Sequence, residues 1–202
     1  QGTFDDWMSF LNLGHRITGI GVSDAHNYAL PGRPRVYFAS GTDDPGAFKE
    51  EELVKAMKEG RVVVSTGAFA RVSIGEAGLG DTLTAASGTA DLKLHIEALP
   101  EIDVTYFKVF VNCDQVATLA TTTPDAIVKY DGTIPLTFDK DAHVVVIGFG
   151  SKRVPRAFGS FDPTNVARFV TNAIYRDKDG NGQYDAPGGK TCTYDLSPPT
   201  AR

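Results

Sequence analysis

The chain has 202 residues, 42% of them hydrophobic and 22% charged, with a formal net charge of −5. That excludes an intrinsically disordered chain and leaves room for one domain, or one domain and part of another. The acidic balance, with no long Lys/Arg block, argues against a nucleic-acid partner, and no apolar run approaches the roughly 20 residues of a membrane span.

In chain order, Thr3 can cap a helix whose first turn carries Asp5 and Asp6 and whose apolar face holds Trp7, Phe10 and Leu11; Gly14 stops it. Ile17 to Val22 reads as a short buried strand that ends in the polar cluster Ser23-Asp24-Ala25-His26. Beyond the Gly/Pro-rich stretch from Pro31 to Pro34, Arg35 to Ala39 reads as a strand, Glu50 to Lys58 as a helix closed by Gly60, and Arg61 to Ser65 as a further strand. From about residue 70 the pattern becomes short alternating segments bounded by turn residues. Examples are Asp91 to Glu97, Tyr106 to Asn112 and Ile134 to Phe138, with a more continuous apolar strand over Ala142 to Phe149 and a last one over Arg168 to Tyr175. No helix falls between them, which predicts an all-β, immunoglobulin-like sandwich.

Asp24 and His26 are two residues apart. In an extended segment both side chains point the same way and offer a carboxylate oxygen and an imidazole nitrogen to one point; in a helix they diverge. That donor pair suits zinc, manganese or iron, although a catalytic zinc normally takes three protein ligands, and by spacing alone a hydrogen-bonded pair in a loop is the commoner outcome. His15, His95 and His143 have no such spacing and read as structural.

A second signal runs over Asp177-Lys178-Asp179-Gly180-Asn181-Gly182-Gln183-Tyr184-Asp185. Oxygen donors fall at calcium-loop positions 1, 3, 5 and 9 as Asp177, Asp179, Asn181 and Asp185, the carbonyl of Gln183 falls at 7, and Gly182 takes the sharp-turn position 6. Position 12 is Gly188, so a structural Ca²⁺ here needs water or another segment to complete its shell. Without metal the same residues would form an ordinary turn.

The run Asn12-Leu13-Gly14-His15-Arg16-Ile17-Thr18-Gly19-Ile20-Gly21-Val22-Ser23-Asp24-Ala25-His26, followed by Gly32-Arg33-Pro34-Arg35-Val36-Tyr37, resembles the last part of the polymerase-and-histidinol-phosphatase (PHP) superfamily, most closely its CehA/McbA-type metallohydrolases. The resemblance implies that Asp24 and His26 are late metal ligands at the mouth of a distorted β/α barrel. It also implies metal-activated water attacking a phosphoester or related ester or amide of a small-molecule substrate. Asn172-Ala173-Ile174-Tyr175 before the Asp-rich turn fits the same resemblance. The superfamily's early His-x-His pair and its other ligands have no counterpart, so turnover by these residues alone is not expected. Arg35, nine residues after His26, is a candidate clamp for a substrate anion or a salt-bridge partner of the loop.

These readings divide the chain into 1–69, the closing α/β elements of an incomplete PHP-like barrel; 70–175, an accessory β-sandwich; and 176–202, a calcium-loop-like turn and tail. The opening Gln1, in place of Met, fits a piece of a longer protein whose N-terminal remainder completes the barrel. Cys113 and Cys192 match neither a zinc spacing nor a CxxC motif; a disulfide and two free thiols are equally compatible, and a disulfide would favour a periplasmic or extracellular setting. The alternative function is a non-catalytic, calcium-stabilised binding or adhesion module.

Overall fold

The computed structural model describes residues 2–26, 32–155 and 166–197. Pro31 of the expected loop and the last five residues of the expected tail lie outside them. Helix α1 spans Thr3–Asn12. Thr3 is its first helical residue rather than its cap, and Gly2 takes the cap position, with its amide donating to Asp5 Oδ2 at 3.3 Å. Strand β1 is Arg35–Phe38, helix α2 is Glu50–Lys58 and β2 is Val62–Ser65. The acidic first turn and basic last turn of α2 complement its dipole.

The remaining strands are β3 (Phe69–Ile74), β4 (Thr82–Thr84), β5 (Thr89–Glu97), β6 (Tyr106–Val111), β7 (Asp114–Ala120), β8 (Val128–Thr137), β9 (Ala142–Arg153), β10 (Val166–Thr171) and β11 (Ile174–Asp177). They form a β-sandwich. A small antiparallel sheet runs β3-β5-β8. In the large sheet β9 is central, with β6 and then β7 on one side; β10 and β11 lie end to end on the other. β2 and β1 continue outward from β10, and β4 pairs in parallel with β11. Every residue of Ala142–Gly150 is buried, because this middle strand is covered on both faces, and that is why its sequence is a continuous apolar run.

Leu92, Leu94 and Ile96 of β5 meet Phe107, Val144 and Val146 of the large sheet between the two layers. The other face of the large sheet carries a second core, where Met8 and Leu11 of α1 pack on Phe110, Val145 and Tyr175. The Cys113–Cys192 disulfide joins this second core and ties the C-terminal segment to it; its Cα atoms are 5.0 Å apart.

In the N-terminal third, β1 and β2 pair antiparallel and extend the sandwich sheet through β10, and no barrel segment is seen among the described residues. One expectation for this third is corrected. Ile17–Val22 is not a strand. The Gly19 N–H donates to Asn172 Oδ1 at 2.8 Å and its C=O accepts from Asn172 Nδ2 at 2.9 Å, so these groups are not available to a ladder. Ile17, Ile20 and Val22 remain exposed.

Candidate functional site

Two regions carry the metal-directed side chains. The first is the loop after β11. Asp177, the last residue of that strand, is fully buried. Its Oδ1 accepts from the amide of Gly180 at 2.7 Å, and its Oδ2 accepts from the amide of Gly182 at 2.9 Å and from Thr84 Oγ1 at 3.0 Å. Gly182 has φ +86°, the left-handed turn that position 6 of a calcium loop requires. Burial works against ionisation of Asp177, but the donors from Gly182, Gly180 and Thr84 outweigh it and hold the carboxyl below its ordinary value.

Asp179 Oδ1 accepts from the Asn181 amide at 3.0 Å, and Asn181 Oδ1 from the Gln183 amide at 2.7 Å, so the chain coils tightly. Asp185 Oδ2 accepts from Asn181 Nδ2 at 2.8 Å, the nitrogen that also lies 3.3 Å from Asp179 Oδ2. The residue that joins Asp177 and Asp179 is Asp141, in the turn between β8 and β9. One carboxylate oxygen from each of these three lies within 4.8 Å of the other two, the sole group of this kind among the described residues. Oxygens bound to one Ca²⁺ at roughly 2.3–2.6 Å fall within about twice that distance of each other, so the three fit one cation. Asp141 is pinned by the amides of Lys178 and Asp185, both at 2.7 Å. Spacing could not reveal it, because it reaches the loop only through the β9–β11 pairing.

Next to this loop, His143 of β9 is fully buried, with Nδ1 2.9 Å from Tyr184 Oη. Burial lowers its pKa to about 4, so it is a neutral packing residue, as its lack of an acidic partner suggested. Tyr184 is pushed up by its own burial. The guanidinium of Arg16 stacks over Tyr175, 4.1 Å from the ring centroid, which links the loop to the chain that leads away from α1.

The second region is Asp24–His26. Their side chains meet, with Nδ1 and Oδ1 3.3 Å apart, and both are largely in solvent, 77% and 86% exposed for His26 and Asp24. The meeting is made by a left-handed residue, Asp24 at φ +45°, rather than by a strand pleat. His26 Nδ1 also lies 2.8 Å from the Asp24 carbonyl oxygen. The segment before it is held by Asn172 and by Gly21. A Cβ on Gly21 would come within 2.5 Å of Val64 Cγ1, so the backbone is pressed onto β2. Arg35 on β1 pairs with neither Asp24 nor His26; its Nε is buried without a partner among the described residues. Burial, and then the neighbouring charge of Arg35, lower the pKa of Arg33.

His95, expected to lack an acidic partner, has two: Glu97 Oε1 at 2.7 Å from Nε2 and Asp131 Oδ2 at 3.2 Å from Nδ1. Glu97 follows at i+2 on the same strand and was legible from that spacing; Asp131 is its register partner on β8.

No family model matches the chain, and neither a curated protein nor a solved structure does. None of the described helices is long and apolar enough to cross a membrane.

Proposed function

We propose that the chain is the closing part of a metal-dependent hydrolase of the PHP type, CehA/McbA-like, with Asp24 and His26 as late ligands of a zinc, manganese or iron centre and the sandwich as its accessory domain. The observation that carries this reading is the Asp24–His26 pair. A carboxylate oxygen and an imidazole nitrogen converge in solvent, at the end of an extended segment whose Ile17, Ile20 and Val22 are uncovered. Two ligands fall short of the three a catalytic zinc takes, so the preceding part of the barrel would supply the rest and cover these apolar side chains. When bound, such a metal polarises a phosphoester, ester or amide and lowers the pKa of its water. Arg35, whose buried Nε has no partner among the described residues, is the candidate to hold the anion of a small-molecule substrate. It shares the Tyr37 face of β1, opposite the Val64 face on which Gly21 packs, so it would have to reach the centre around the strand edge.

The same proposal assigns a structural Ca²⁺ to Asp141, Asp177 and Asp179, with Asn181, Gln183 and Asp185 shaping the loop. Three carboxylates crowd together, two of them buried, and none is in an ion pair among the described residues; a divalent cation relieves that repulsion. The strand orders β3-β5-β8 and β7-β6-β9-β10 support an immunoglobulin-like type, since they follow the ABE and C′CFG orders of that fold. The disulfide supports a periplasmic or extracellular setting.

In a longer protein that supplies the remaining ligands, Asp24→Ala and His26→Ala should each remove bound transition metal and the hydrolysis of bis(p-nitrophenyl) phosphate. Unchanged metal content and activity in both variants would overturn the hydrolase reading. A second reading, a calcium-stabilised binding or adhesion module, is favoured by one observation: the three-carboxylate group draws only on Asp141 and the 177–179 loop and not on the Asp24–His26 segment.

A further inference from the structure

The outer face of the small sheet carries side chains that neither reading uses. Along β3, Ala70 and Ile74 point into the core, so Phe69, Arg71 and Ser73 point outward. Lys93 and His95 of β5 are their register partners on that face, and Asp131 of β8 lies opposite His95. Beside it, Tyr37 shares the face of its partner Val63 and meets Phe69 edge to face, with ring centroids 5.5 Å apart at 71°. Together these residues line an open cavity of about 640 Å³, within the range of roughly 300–1,000 Å³ usual for small-molecule sites.

The charges on this cavity are mostly paired within the protein. Arg61 bonds Asp81 at 3.0 Å and Glu59 at 3.1 Å, Arg71 bonds Glu97 at 3.4 Å, and His95 sits between Glu97 and Asp131. An anion seeking either arginine, or a cation seeking these carboxylates, would first have to displace a partner. Uncommitted among the described residues are the Tyr37 and Ser73 hydroxyls and the Lys93 ammonium, all hydrogen-bond donors, in the same lining as the edge-to-face rings of Tyr37 and Phe69, the latter with the Arg71 guanidinium 5.6 Å from its centroid. A ligand that satisfies this set has an apolar side to pack against the ring pair and hydroxyl groups to meet the rim.

We infer that this cavity binds a neutral saccharide, packed against the Tyr37–Phe69 pair and hydrogen-bonded by Tyr37, Ser73 and Lys93. The site lies on the opposite face of the β1–β2 pair from the Asp24–His26 segment, since Gly21 presses on Val64 while Tyr37 aligns with Val63. It is therefore independent of the hydrolase reading.

Two-dimensional amide NMR titration of the full chain with cellobiose, maltose, xylobiose and lactose tests it, with hexanoate and inorganic phosphate as apolar and anionic comparisons. At least one disaccharide should shift the amides of Tyr37, Phe69, Lys93 and His95 in a saturable way. Lys93→Ala and Tyr37→Phe, which leave the core intact, should each weaken that binding about three- to tenfold, the loss of one hydrogen bond. Asp24→Ala should leave it unchanged even if that variant disproves the metal assignment. No shift with any of the four sugars, or saturable shifts of these amides with hexanoate or phosphate alone, would overturn the inference.

Discussion

At the Asp177 loop, three carboxylates from two chain segments meet, held in place by backbone amides and by strands on both sides. At the Asp24–His26 end, two side chains meet in solvent, and the segment that carries them is fastened mainly through the backbone of Gly19 and Gly21. Both regions display metal-ligand chemistry in sequence. They differ in that the sheet pairing of this chain brings a further carboxylate, Asp141, to the first, and does nothing of the kind for the second. A ligand motif is thus only as complete as the framework that delivers its distant members.

The largest expected effect concerns what anchors the loop side. The disulfide closes a sequence separation of 79 residues and holds the segment where the Cys192 amide donates to Ser9 Oγ of α1 at 2.9 Å. Replacing both cysteines by serine should cost about 2–4 kcal/mol in urea unfolding. A loss under about 0.5 kcal/mol would mean that the loop side is held by its hydrogen bonds alone.

His143 gives the next effect. It is neutral when folded, with a pKa of about 4, and has an ordinary value of 6.5 when unfolded. Its contribution is fully present above pH 6.5 and is lost as pH falls toward 4, where the unfolded chain takes up the proton first; the total is about 3 kcal/mol. Stability measured from pH 7.5 to 4 should therefore fall less steeply in His143→Gln than in the wild type, whatever that variant does to absolute stability. Parallel slopes would remove His143 from the account.

Asn172 is the hinge between the two regions, bonding Gly19 and also the carbonyl of Val62 at 2.8 Å. Asn172→Ala should cost about 1–3 kcal/mol and speed hydrogen exchange at Gly19 more than at Gly182. Equal acceleration at both amides would show that the regions are coupled rather than separate. Smallest of all, Asp24→Ala and His26→Ala should change the stability of this chain by less than about 0.5 kcal/mol, since both side chains are exposed. A larger loss would mean that the pair supports the fold.

Much of this contrast was legible in residues. The positions of α2, β1 and β2 follow from charge order, glycine stops and apolar runs, and the spacing from Asp177 to Asp185 marks the tight, Asp-rich turn after β11. Strands β4 and β7 were not legible: β4 has three residues, and β7 is an edge strand with exposed positions, so neither writes a clear apolar alternation. Ile17–Val22 misled because its apolar residues suggest burial, whereas the side chain of Asn172 takes the backbone groups a ladder would need. Asp141 lies 36 positions before Asp177, and only the β9–β11 register brings them together.

The most direct test of the division between the two regions is calcium titration of the 202-residue chain, followed by calorimetry and by thermal unfolding. One equivalent of Ca²⁺ should bind and raise the midpoint by an amount that grows with its concentration; at 100 times the dissociation constant the gain is about 2.7 kcal/mol. Asp141→Asn and Asp177→Asn should each abolish the gain, while Asp24→Ala with His26→Ala should leave it intact. Calcium binding that survives both loop substitutions, or that disappears with Asp24 and His26, would contradict the account.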